Sequence, residues 1–228
     1  MTSHTDPHDD GVPAAADAPG RLIVLAGPSG VGKSTVVAEL RRIHAPVWFS
    51  VSATTRGARP GEVDGRDYHF VSGDEFDRMV GEDEMLEWAE IHRGLHRSGT
   101  PRAPVDAHLA GGVPVLLELD LAGARAVRAR RGDALFVFLE PPSFEVLVGR
   151  LIGRATEATE VVDRRLATAR EELAASSEFD VTLVNHDIRE TAARLVDLSV
   201  GPLSGSSSTP DRSPETSFSG FPTAGASE

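Results

Sequence analysis

The residues best equipped for chemistry stand together in one short run, GPSGVGKS, from Gly27 to Ser34. It matches G-x-x-x-x-G-K-[ST], a loop whose glycines let successive backbone N–H groups turn inward around an anion. A helix that follows such a loop adds the positive end of its dipole. Lys33 would place a point charge on the outer phosphates of a bound triphosphate, and the Ser34 hydroxyl would bind Mg²⁺. Of the 23 basic residues, 22 are arginine and Lys33 is the one lysine. A chain that elsewhere uses planar guanidinium groups thus has a compact ammonium where that shape fits inside a loop. The motif points to a nucleoside triphosphate and leaves open where its phosphoryl group goes.

A second group of residues begins at Ser52, in SATTRGARPGEVDGRDYHF. Arg56, Arg59 and Tyr68, the sole tyrosine, could share one phosphate, because guanidinium forks pair with phosphate oxygens bidentately and a phenol adds a neutral donor. Taken alone, two arginines and a tyrosine in a turn-rich segment are more often surface residues. Glu118 and Asp120 close the apolar run Val113 to Leu119, where acids at the C-terminal edge of a parallel strand would face a nucleotide. Their spacing puts both on one face of a strand, and capping the next helix is the alternative for Asp120.

Positioning these groups requires an α/β framework. Strands are expected at Arg21 to Ala26, around Val47 to Val51, and at Pro114 to Leu119, Ala134 to Leu139 and Val181 to Val184. Helices are expected from Lys33 to His44 and over 121–131, 143–152, 160–177 and 187–198. Near-continuous apolar strands alternating with helices imply a parallel sheet covered on both faces. Residues 52 to about 100 break the rhythm with turns and a short helix, Asp74 to Val80, and read as an inserted lobe. Residues 1–20 and 201–228 lack an apolar period and read as disordered tails.

A length of 228 residues suits one sizeable core. With no cysteine, disulfides, thiolate metal sites and cysteine nucleophiles are excluded. A net charge of −12 disfavours a general nucleic-acid binder. Neither an export signal nor a run of about eighteen apolar residues is visible, so a soluble, cytoplasmic protein without membrane contact is expected.

The pattern T-T-R-x-x-R-x-x-E-x-x-G-x-x-Y-x-F, complete from Thr54 to Phe70, together with GPSGVGKS, resembles the guanylate kinase family. The likeness continues through MLEWAE (85–90), SGTP (98–101), LELDLAGA (117–124), EPPS (140–143), RATE (154–157) and Val184–Asn185. It implies a P-loop kinase core over 21–51 and 101–200, a small GMP-binding lobe over 52–100, and a helical lid near 150–165. It also implies Mg²⁺-dependent phosphorylation of GMP, and of dGMP, by ATP.

By that resemblance ATP would lie on Gly27, Pro28, Ser29, Gly30, Val31, Gly32, Lys33, Ser34 and Thr35, with Asn185 near the adenine. Arg56, Arg59 and Tyr68 would hold the GMP phosphate, Ser52 and Glu87 would read guanine, and Thr100 would add a contact. The carboxylate suits that task, since guanine offers N1–H and N2–H side by side and adenine lacks the pair. A solvated edge carboxylate is the plainer reading of Glu87. Glu118 and Asp120 would serve Mg²⁺ through water and the guanine edge, in an order left open. Arg150, Arg154 and Arg165 resemble lid arginines that join Lys33 and Arg56 in catalysis, although arginines on ordinary helices face solvent. Three positions depart from the family pattern: Ser98 stands in place of a tyrosine, Ala155 in place of a glycine, and His186 in place of an acid.

Overall fold

A computed structural model describes residues 18–91, 94–152 and 159–201. The chain runs β1 (Leu22–Ala26), α1 (Lys33–Arg42), β2 (Trp48–Phe49), β3 (Ala53–Thr54), β4 (His69–Phe70), α2 (Gly73–Gly81), β5 (Met85–Ile91), β6 (His96–Pro101) and α3 (Arg102–Ala110). It continues through β7 (Val115–Glu118), α4 (Leu121–Arg130), β8 (Leu135–Glu140), α5 (Phe144–Ile152), α6 (Thr159–Ala174), a 3₁₀ turn (Ala175–Glu178), β9 (Val181–Val184) and α7 (Ile188–Val200).

The core sheet has the order β2-β7-β1-β8-β9, with every pairing parallel. Strand alternation divides its side chains between two buried layers. Leu22, Val24, Val115, Leu117 and Phe136 face one side, where Val105 and Leu109 of α3 and Ala124 and Val127 of α4 meet them. Ile23, Leu25, Leu116, Val137 and Leu139 face the other, against Val36 and Leu40 of α1 and Ala192 and Leu195 of α7. Each fully buried aliphatic or aromatic side chain contributes about 1.5–3 kcal/mol, so the two layers hold the sheet rigidly.

Residues 53–101 form a separate four-stranded sheet of order β4-β3-β6-β5, with α2 against it. Its own cluster is small, centred on Ala53, Phe76 and Met85. Leu86 of β5 reaches instead into the core layer beneath α4, which ties the lobe to the body. Composition predicts a turn-rich stretch with one helix here, so β3 to β6 escape the sequence reading, as does α3. Two of the four strands are two residues long, too short to show an alternating pattern.

The expected core elements appear, some with shifted ends. α1 stops at Arg42, β7 stops at Glu118, and the helix expected to 177 ends at Ala174 and tightens into the 3₁₀ turn. At the N-terminal edge of β1, the Arg21 guanidinium donates to the carbonyls of Leu198 and Gly201, closing the end of α7. No helix among the described residues is long and apolar enough to cross a membrane.

Candidate active site

The phosphate loop leaves β1 at Ala26 and enters α1 through Gly32, whose φ is +104°. A Cβ on Gly32 would stand 2.9 Å from Asn185 Nδ2, and one on Gly27 would stand 2.4 Å from the Leu139 carbonyl oxygen. Backbone conformation and neighbours therefore both demand glycine. Lys33 Nζ folds back over the loop, donating to the carbonyls of Gly27 at 2.5 Å and Pro28 at 3.3 Å. Burial pulls the ammonium below the ordinary lysine pKa, while the carboxylates of Glu118, Glu172 and Asp120 oppose the shift.

Two side chains brace the loop from behind. Asn185 is buried and donates to the Val31 carbonyl at 3.0 Å, and its own carbonyl accepts from Thr191 Oγ1 at 3.2 Å. Arg150 Nη1 reaches the same Val31 carbonyl at 2.9 Å. On the loop's outer side the Ser29 N–H donates to the Glu172 carboxylate of α6 at 3.2 Å. No sequence pattern singles out Glu172, because its meeting with the loop depends on how α6 folds back across 143 residues.

Ser34 Oγ donates to Glu118 Oε1 at 2.6 Å, a hydroxyl and a carboxylate meeting at the mouth of the loop. The pair is exposed, and hard oxygen donors of this kind suit Mg²⁺, which keeps several waters and is completed by substrate phosphates. No cluster of three or more acidic or histidine ligands occurs among the described residues, so a dedicated protein cage is not what the donor set forms. Asp120 corrects an expectation. The strand ends at Glu118, and Asp120 is the N-cap of α4, accepting the Gly123 N–H at 2.7 Å. The two acids therefore do not share a strand face.

The lobe brings the second group together. Arg56 makes a two-pronged ion pair with Glu62, at 2.7 and 2.9 Å. Its guanidinium carbon lies 4.9 Å from the centre of the Tyr68 ring and 5.7 Å from that of Phe70. Glu62 also accepts the backbone N–H of Arg59 at 2.7 Å, which ties the exposed Arg59 to the same turn. The Arg56 hydrogen bond, followed by that N–H, holds the Glu62 carboxyl below its usual value. Glu62 is the acid of the quoted pattern, to which sequence reasoning gives no task.

Glu87, on β5, is 8% exposed, so it is not a solvated edge carboxylate. Thr100 Oγ1 donates to its Oε1 at 2.7 Å across the β5–β6 pairing. Burial, and after it the charge of Asp120, raises its pKa, with Thr100 resisting. Its Oε2 lies 3.4 Å from where a Cβ on Gly123 would be, ordinary contact distance, so α4 packs closely beside the carboxylate. Ser52 is half-buried at the start of the lobe, its carbonyl accepting from His69 N–H at 2.9 Å. Ser98 donates to the Ala53 carbonyl at 3.1 Å and so stitches β6 to β3.

A cavity of about 660 Å³ runs along Pro28 to Thr35 with Glu118, Arg150 and Asn185. A second, of about 460 Å³, shares Thr35, Arg150, Asn185 and Ile188 and extends past His186 toward Arg189 and Glu39. Together they provide an elongated trough at the C-terminal edge of the core sheet, where open α/β sheets receive ligands. Of the expected lid arginines, Arg150 lies beside the phosphate loop, on the Val31 carbonyl. Arg154 lies outside the described residues, and Arg165 falls on α6 with its side chain outside them.

An all-parallel core sheet, a glycine loop entering a helix after β1, and a mixed lobe inserted between core strands define a P-loop kinase. A family profile for guanylate kinase matches residues 19–199. Guanylate kinase from Rhodococcus jostii is 62% identical over 182 residues, covering 80% of this chain and 88% of its own. That from Thermobifida fusca is 61% identical over 189 residues, covering 83% and 95%. The crystal structure of guanylate kinase from Anaplasma phagocytophilum superposes with a TM-score of 0.61 at 33% identity, covering 80% of this chain and 85% of that one. The chain belongs to the guanylate kinase family.

Proposed function

We propose that this protein transfers the γ-phosphoryl group of ATP to GMP, and to dGMP, giving ADP and the corresponding diphosphate, as a cytoplasmic enzyme. The single observation that carries the choice of acceptor is the buried Glu87 carboxylate, oriented by Thr100. Such an acceptor would go unpaired with adenine and be satisfied by the adjacent N–H donors of guanine.

The nucleophile is a phosphate oxygen of GMP, already anionic near neutral pH, so no general base is required. The work of the chain is to bring two polyanions together and lower their repulsion. Loop N–H groups and Lys33 hold the triphosphate. Arg56, Arg59 and Tyr68 hold the acceptor phosphate, with Ser52 beside Glu87 at the base. Arg150, with Arg154 and Arg165, supplies positive charge where it develops on the transferred group. Ser34 and, through water, Glu118 would hold Mg²⁺, while Asp120 keeps the α4 terminus beside the base. When bound, the ion neutralises charge between the phosphates. Closure of the small lobe on the core would exclude water as a competing acceptor.

A coupled assay of ADP release tests this with ATP and GMP, dGMP, AMP or UMP. GMP is expected to support turnover, with kcat/KM for AMP lower by about 10²-fold or more. Equal ADP release with and without GMP would overturn the reading.

A further inference from the structure

Arg56 has five N–H donors, and how they are distributed says what Glu62 is for. Nη1 donates to Glu62 Oε2 at 2.7 Å and to the Gly57 carbonyl at 2.9 Å, and Nη2 donates to Glu62 Oε1 at 2.9 Å. That occupies the Nη1–Nη2 edge. The Nε–H and the second Nη2–H form the adjacent edge of the guanidinium, and beyond Glu62 and Gly57 the side chain also hydrogen-bonds Tyr68, the phenol expected to share the same phosphate. Two parallel donors on one planar edge match two oxygens of a phosphate.

The orientation is over-determined. The guanidinium is held in its plane by the carboxylate and set against the rings of Tyr68 and Phe70. The pair is largely sheltered, with side-chain exposures of 15% and 20%, so solvent competes weakly for its hydrogen bonds. The same Glu62 oxygen that accepts from Nη1 also accepts the Arg59 N–H. One carboxylate thus sets both the direction of one arginine and the backbone from which the other extends. An acid beside an anion site would ordinarily oppose binding. Here it occupies the neighbouring edge of the cation, leaving the Nε–Nη2 edge to an incoming anion and removing rotational freedom that a phosphate would otherwise have to quench.

We propose that Glu62 is the positioning residue of the acceptor-phosphate site, aiming the Nε–Nη2 edge of Arg56 at a phosphate monoester and fixing the turn that carries Arg59. This rests on the proposed function, since it takes GMP as the acceptor.

The test compares wild type, Glu62→Gln, Glu62→Ala and Glu62→Asp for steady-state KM with GMP and with ATP, and for competitive inhibition by guanosine, which has the base and no phosphate. In Glu62→Ala and Glu62→Gln the KM for GMP is expected to rise about tenfold. The KM for ATP and the inhibition constant of guanosine should stay within twofold, and Glu62→Asp should recover part of the loss. A GMP KM within twofold of wild type in Glu62→Gln would overturn the role. So would a parallel weakening of guanosine, which would mark a general loss of lobe structure. Absence of GMP turnover by the wild type itself would instead strike the proposed function and take this inference with it.

Discussion

The phosphate loop and the inserted lobe are built on different principles. The loop recognises charge with its backbone. Its shape follows from glycine geometry and from braces on the Val31 carbonyl, and it stands on strands buried on both sides. The lobe offers side chains, each fixed by a partner, Arg56 by Glu62 and Glu87 by Thr100, which on the proposed function recognise the acceptor. Its private core holds little more than Ala53, Phe76 and Met85. The difference teaches that a site for the part common to all triphosphates can be rigid and generic. A site that must choose its acceptor is better assembled from tunable pairs on a body light enough to move.

Replacing Lys33 by alanine puts that contrast under the greatest load. It is expected to lower kcat/KM for both substrates by about 10²–10³-fold, since charge on the transferred group loses its closest point cation. Thermal stability should move by no more than about 3 °C, because the ammonium bonds only carbonyls and is already penalised by burial. A loss confined to the KM for GMP would break the division between the two regions.

Glu87→Gln comes next, and it separates recognition from stability. Removing one acceptor of the guanine pair should lower kcat/KM for GMP by about 10²-fold while leaving the KM for ATP unchanged. Burial raises the folded-state pKa of Glu87, so its favourable contribution is present below the unfolded value and is lost as pH rises through the folded one. At neutral pH the wild type therefore carries the cost of a buried charge that glutamine lacks. The variant should melt about 2–4 °C higher there, a gain of ~1 kcal/mol. That gap should close as pH falls below 4.5, the ordinary glutamate value. Melting curves across pH check both, and a lower melting temperature at neutral pH would contradict the account.

The smallest effect concerns Glu172, whose charge lies close to Lys33 and whose oxygen takes a loop N–H. Glu172→Gln keeps an acceptor and removes a charge that repels a triphosphate. The KM for ATP is expected to fall two- to threefold at low ionic strength, with the change fading in salt and the KM for GMP unmoved. A rise in the KM for ATP would mean that the carboxylate supports the loop rather than competing for it.

The same contrast explains what was legible in the sequence. GPSGVGKS announces itself because strand, turn and helix are consecutive, so eight adjacent residues carry the whole device. The core strands were legible for a similar reason: buried on both faces, they read as unbroken apolar runs. β3 to β6 were not, since two-residue strands carry no period and the sheet exists only through pairings such as Ala53 with Gly99 and Glu87 with Thr100. Arg56, Tyr68 and Glu87 could be named from resemblance, but the buried setting of Glu87 depends on α4 arriving beside β5. Asp120 shows the reverse failure. Its spacing from Glu118 suggested a shared strand face, whereas the strand had ended and the helix cap claimed the carboxylate.

The bond from Arg21 to the carbonyls of Leu198 and Gly201 bears on how the molecule can be rebuilt. β1 runs from that staple to the phosphate loop, a span of five residues or about 16 Å. Both ends of the described fold thus open on the edge of the sheet opposite the phosphate loop. A fusion partner appended at either end would face away from the trough. A circular permutant that joins residue 201 to residue 18 by a short linker would keep loop, lobe and trough in one piece.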